Sequence, residues 1–275
     1  MSISFWYRLA LIAFSVFVGV ALTSSRVFAD QIGLSVDATG SANSSNSSNS
    51  QQFALSLVQS PIIVPAETGT LDLGFGSASG TVDFGSITGA VSAKGGTSAT
   101  TGSNFGSGDF FGIWQDSLIV TDPSLAQGAA VDLLLTLTTN GSLTCAGPDA
   151  NASGFASFQA GNNALTFSNQ SCNTTLQRTQ TLEIATTVGA DLQLKGQLHI
   201  VAGAGSDVSG LSSSSSVDPP SSAFFIDALN GASYTTGSGN TYFSPAVATP
   251  EPSSLLMLGS GLLCLLGVWV GKRNP

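Results

Sequence analysis

The side chains able to do chemistry are few, and most are acids. The 275-residue chain carries one histidine and three cysteines, with 16 Asp plus Glu against 7 Lys plus Arg. The histidine, His199, falls on the polar side of an alternating run over residues 191–200. A Ser-His-Asp arrangement would need it, yet the sequence has no G-x-S-x-G turn to present a nucleophilic serine, so a solvated strand histidine is expected. Two carboxylates suffice for glycoside hydrolysis. Asp109 and Asp116 flank the aromatic patch of Phe110, Phe111 and Trp114, but chain separation does not fix their distance in space. One histidine and one pair of cysteines are too few ligands for a zinc centre. Phosphate loops of the G-x-x-x-x-G-K-[ST] type are absent. The expectation is no catalytic residue, no cofactor and no metal ligand set. Calcium stays open as an alternative, but Gly106-Ser107-Gly108-Asp109 is one residue short of a calcium-binding glycine–aspartate repeat and reads as a turn. Sugar stacking calls for exposed Trp or Tyr. Trp114 lines up with an apolar strand face, which leaves Tyr234 and above all Tyr242, placed in a spacer where solvent can reach it.

The elements that would position these groups read as strands. Residues 32–36, 53–58, 71–93, 113–121 and 131–139 alternate or nearly alternate apolar with polar or small side chains. In the last of these, Val131, Leu133, Leu135 and Leu137 share one face. Ile62-Ile63-Val64 lies between Pro61 and Pro65, which suggests an edge strand or a crossing between sheets. Asp122-Pro123 is a turn. Leu182 and Ile184, then a Gly189-Ala190 turn, then Leu192, Leu194, Leu198 and Ile200 predict a β-hairpin with one buried and one wet face. Shorter pieces at 155–158, 165–167, 224–226 and 232–234 complete the set. Residues 39–52 and 94–108 are mostly Gly, Ser, Thr, Asn and Ala, and 211–222 joins the serine run 212–216 to Pro219-Pro220; all three read as long loops. No convincing helical period occurs between the two hydrophobic ends. The predicted fold is all-β, a two-sheet β-sandwich of jelly-roll or immunoglobulin-like kind over residues 30–245. The absence of a fixed repeat length argues against a solenoid.

Composition and the chain start predict that this domain is exported. Residues 30–249 hold fifteen acids against Lys94, Arg178 and Lys195, a net of twelve negative charges that disfavours nucleic acid and anionic lipid as partners. The chain starts with one arginine in residues 1–8 and an apolar core at 9–22. Val27-Phe28-Ala29 then puts small residues where signal peptidase needs them. A signal peptide of residues 1–29, cut between Ala29 and Asp30, is expected. In the oxidising compartment beyond, Cys145 and Cys172 pair, because Cys264 lies inside a C-terminal apolar run. In the chain-entropy account, the closed loop is worth about 3.5 kcal/mol.

The C-terminus carries the strongest signal. Pro250-Glu251-Pro252 precedes the nineteen uncharged residues 253–271, and Lys272-Arg273 closes them. As a helix at 1.5 Å per residue this run spans about 28 Å, enough for a bilayer. The basic end favours a cytoplasmic C-terminus, with the rest of the chain outside. Over residues 246–275 the tail resembles the PEP-CTERM sorting signal of Gram-negative bacteria, which is read by the membrane enzyme exosortase. That resemblance implies recognition through Pro250, Glu251, Pro252, Lys272 and Arg273, a transient membrane anchor, and release at the cell surface. It further implies a setting of exopolysaccharide and biofilm. The expected function is a non-enzymatic surface or matrix component. A glycan- or calcium-binding module is the alternative, with a polysaccharide hydrolase last.

Overall fold

A computed structural model of the chain describes residues 32–44, 48–57, 61–71, 73–98, 102–147, 149–205 and 213–243. The signal peptide with its Ala29–Asp30 cut lies outside the described residues. So do Pro250, Glu251, Pro252, the 253–271 span, Lys272 and Arg273.

Among the described residues there are fourteen strands and no helix, and every pairing is antiparallel. The all-β expectation holds. The strands are β1 (Gly33–Ser44), β2 (Ser48–Leu57), β3 (Ile62–Leu71), β4 (Gly74–Asp83), β5 (Ser86–Ser98), β6 (Gly102–Thr121) and β7 (Ala130–Ala146). After them come β8 (Asp149–Ala160), β9 (Asn163–Asn169), β10 (Thr174–Thr175), β11 (Arg178–Thr187), β12 (Asp191–Gly205), β13 (Ser213–Ala228) and β14 (Ser233–Thr236). One layer runs β2–β1–β6–β12–β8–β9, with β14 continuing along the β1 side of β6. The other runs β3–β4–β5–β13–β7–β11, with β10 beyond β11 on β7. The tip of the β5–β6 hairpin joins the layers. Inward side chains of both layers form one core around Phe110, Trp114, Phe158 and Phe224.

Three stretches expected as loops are strands instead. Residues 39–44 and 48–52 form most of the β1–β2 hairpin, 94–98 and 102–108 end β5 and begin β6, and 213–222 begin β13. Here the inward positions hold glycine, alanine and serine: Ala38, Gly40 and Ala42 on β1, Gly106 and Gly108 on β6, Ala202 and Ala204 on β12, Ser213 and Ser215 on β13. The period of two is intact but lacks the bulky side chains that make it visible. Packed sheets ordinarily stand about 10 Å apart, a gap filled by large side chains. At this end small residues let the layers approach to backbone contact. A Cβ on Gly106 would lie 1.8 Å from the Phe75 carbonyl oxygen, and one on Gly108 2.2 Å from that of Ser77. The core is a wedge, thick at Trp114 and thin at Gly106. Gly106-Ser107-Gly108-Asp109, expected as a turn, runs straight through β6.

The hairpin expected over residues 182–200 is also corrected. β11 pairs with β7 in one layer, and β12 pairs with β6 and β8 in the other, so the Gly189 turn crosses between layers. Both strands are amphipathic as read, but each meets a longer partner than the other could offer. The turn is held by β6 and by the residue before β7. Gly189 N donates to Val120 O at 2.9 Å, and Val188 N to Ala129 O at 2.9 Å.

Open sheet edges invite foreign strands, and here side chains close them. On one side Asn49 Nδ2 donates to Thr70 O (2.9 Å) and Gln51 Oε1 accepts from Thr68 N (3.2 Å), tying β2 to β3 across the layers. On the other, Gln180 Nε2 donates to Thr166 O (2.9 Å), while the Arg178 guanidinium sits 5.8 Å from the centre of the Phe167 ring. β3 is an edge strand interrupted after Val64, as its flanking prolines suggested. The Cys145–Cys172 disulfide is present and pins the turn after β9 to β7. Beside it, Cys145 N donates to Asn173 Oδ1 at 3.0 Å.

Candidate functional site

Side-chain direction along β6 separates the two carboxylates named from the sequence. Strand side chains alternate faces, so residues seven apart lie on opposite sides, and seven steps of about 3.3 Å place them roughly 23 Å apart along the strand. Asp116 is fully buried in the core, whereas Asp109 stands on the outer face with half its side chain exposed. The pair cannot flank one glycosidic bond.

Asp116 holds the end of the domain instead. Its Oδ1 accepts from Ser117 N (2.8 Å) and Ser238 N (2.9 Å), and its Oδ2 from Ser238 Oγ (2.5 Å) and Tyr242 Oη (2.6 Å). Four donors compensate a buried carboxylate for lost hydration. The Tyr242 ring stacks on Trp114 with centroids 5.1 Å apart and planes within 14°. Its backbone N donates to Tyr234 Oη (2.9 Å), which donates onward to Ile226 O (3.2 Å). Tyr242, expected in an exposed spacer, is therefore only 2% exposed and closes the core. Burial, with the Asp116 carboxylate beside it, pushes its phenol far above the usual tyrosine range. Burial likewise raises Tyr234 to about 12. The first of the chain's two compact units ends at Tyr242.

All three residues weighed for sugar stacking thus lie in the core: Trp114, Tyr234 and Tyr242 are each buried. The outer face of the first layer carries a different set. Across β6, β12 and β8 the ladders align Phe111, His199 and Phe155 in one row. Asp37 on β1 extends it at one end and Ser168 on β9 at the other. The Phe111 ring meets the His199 imidazole edge to face, with centroids 5.5 Å apart at 83°. His199 Nε2 lies 3.0 Å from Asp109 Oδ1. Neighbouring polar groups are held in place as well: Gln52 Nε2 donates to Asp37 (3.2 and 3.3 Å), and Ser157 Oγ to Gln197 Oε1 (2.9 Å). His199 is on the polar face, as read from its alternation, yet is one-fifth exposed and partnered. The aromatic row escaped sequence reasoning because Phe111, Phe155 and His199 are 44 residues apart at each step, and only register brings them together.

A cavity of about 10 Å³ beside Thr139, Phe155 and Ser222 has room for one water molecule at most. Among the described residues no three of His, Cys, Asp and Glu converge in a way that could hold a metal ion.

Residues 248–273 match the PEP-CTERM protein-sorting motif. No curated protein matches the chain.

Proposed function

We propose that this protein is exported, sorted by exosortase through its C-terminal tail, and released as a structural component of the cell surface or extracellular matrix. The observation that carries this reading is the sorting motif over residues 248–273, which begins six residues after Tyr242 closes the core. Loss of the tail therefore removes none of the clasp built on Asp116. In this reading signal peptidase cuts between Ala29 and Asp30, residues 253–271 anchor the precursor in the membrane until exosortase acts, and exopolysaccharide is the material around the released domain. The two layers are read as a β-sandwich of jelly-roll or immunoglobulin-like kind. A disulfide, an acidic surface and side-chain-closed edges suit a protein that works outside the cell as a monomeric building block.

Intact-mass measurement of the exported protein, combined with cell fractionation, tests this. The expected product starts at Asp30, lacks residues 253–271 and lies outside the inner membrane. A mature form that retains that span would replace sorting with a permanent single-span anchor.

A further inference from the structure

We propose that the outer face of the first layer binds a neutral glycan chain along the row Asp37, Phe111, His199, Phe155 and Ser168. The inference deepens the reading above by naming a partner, and rests on it only for the setting.

Five strands in register at about 4.8 Å each make the row roughly 19 Å long, the length of a short oligosaccharide. Phe111 and Phe155 flank His199 at its centre, and the polar Asp37 and Ser168 stand at its ends. Aromatic rings cover the C–H faces of sugars, and Phe111 and Phe155 sit on either side of His199 for that purpose. The rings are half-buried by their neighbours, so they are held rather than swinging free. Hydroxyl groups need fixed acceptors and donors beside such a platform. Asp109 on His199, Asp37 under Gln52 and Gln197 under Ser157 supply both kinds, each already oriented by a partner.

Charge selects among occupants. The exported region carries only three basic side chains against fifteen acids, and both carboxylates at the row face outward. An anionic polysaccharide or nucleic acid would be repelled. A second copy of this chain laid face to face would bring two Asp37 and two Asp109 side chains together. A neutral chain avoids both costs. The outer face of the second layer serves as an internal comparison: it presents Phe225, opposite Thr136, without an aligned aromatic partner.

The test uses the full-length chain purified in detergent and titrated calorimetrically with neutral hexamers (β-1,4-glucose, β-1,4-xylose, β-1,4-mannose, β-1,3-glucose) and with acidic hexagalacturonate. Binding of at least one neutral hexamer is expected, with none of the acidic one. Phe111→Leu and Phe155→Leu keep apolar bulk but remove the ring, and each is expected to weaken binding tenfold or more at unchanged melting temperature. Phe225→Leu is expected to leave affinity within twofold. No binding of any neutral hexamer overturns the proposal, as does equal weakening by Phe225→Leu or preference for hexagalacturonate. Failure here leaves the sorting reading intact, because that is decided by mass and location of the exported protein.

Discussion

Replacing Tyr242 by phenylalanine isolates one bond of the C-terminal clasp. The substitution deletes a hydroxyl that donates to Asp116 Oδ2 at 2.6 Å and leaves the ring on Trp114. Asp116 keeps its three donors from Ser117 and Ser238. A hydrogen bond to a charged group contributes about 1.5–3 kcal/mol, so a loss of about 2 kcal/mol is expected. In a domain of this size each kcal/mol shifts the melting temperature by about 2–4 °C, which gives a drop of roughly 4–8 °C. Calorimetry and urea unfolding of the disulfide-intact protein measure it. Titration gives a second readout. In the folded state the Tyr242 phenol is held neutral, and Tyr234 likewise up to about 12. An unfolded tyrosine ionises near 10. Above that pH the unfolded chain binds fewer protons than the folded one, so stability falls as pH rises. The stabilisation is complete below about pH 10 and is lost from there upward, and Tyr242→Phe should flatten that slope. A variant within 0.5 kcal/mol of the parent, or an unchanged alkaline slope, would refute the view that this bond closes the domain.

Other expectations follow from the same geometry. Replacing Cys145 and Cys172 together by serine should cost about 3.5 kcal/mol by the chain-entropy account, seen as a lower urea midpoint; an unchanged midpoint would mean the bridge does not constrain the unfolded chain. Gly106→Ala puts a methyl group 1.8 Å from the Phe75 carbonyl oxygen and should cost about 3 kcal/mol or prevent folding. Gly154→Ala meets only side-chain methyls, of Leu176 at 3.2 and 3.4 Å and of Ile200 at 3.8 Å, and should cost under about 1 kcal/mol, so equal losses by thermal melting would argue against backbone contact between the layers. Changing Pro250, Glu251 and Pro252 to alanine should leave the tail on the exported protein by intact mass and leave the domain's melting temperature unchanged, since the clasp ends at Tyr242.

Much of the fold was legible wherever inward positions carry bulk. Val131, Leu133, Leu135 and Leu137 on β7 are all buried as their alternation required, and Leu194, Leu198 and Ile200 on β12 behave the same way. The cysteine pairing was legible too, because Cys264 lies inside the C-terminal apolar run and leaves Cys145 and Cys172 as the remaining pair. The thin end of the wedge was not. Periodicity is detected through contrast in size and polarity, and Gly-Ser-Ala alternation has little of either. What turns those residues into strand is a facing backbone at contact distance, which belongs to another part of the chain.

The chain's local pattern by itself determined that the domain is all-β, that it is acidic, and that its tail bears the sorting motif matched over residues 248–273. Those properties depend on residues close in sequence or on composition. Partnership between strands was decided only in three dimensions. Amphipathicity tells β11 and β12 which face to bury but not whom to pair with, so a hairpin pattern became a crossing between layers. Tertiary packing likewise drew Tyr242 from its apparent spacer into the core, and register aligned Phe111, His199 and Phe155. Both outcomes join parts of the chain that lie far apart in sequence, and the packing of the whole core chooses them.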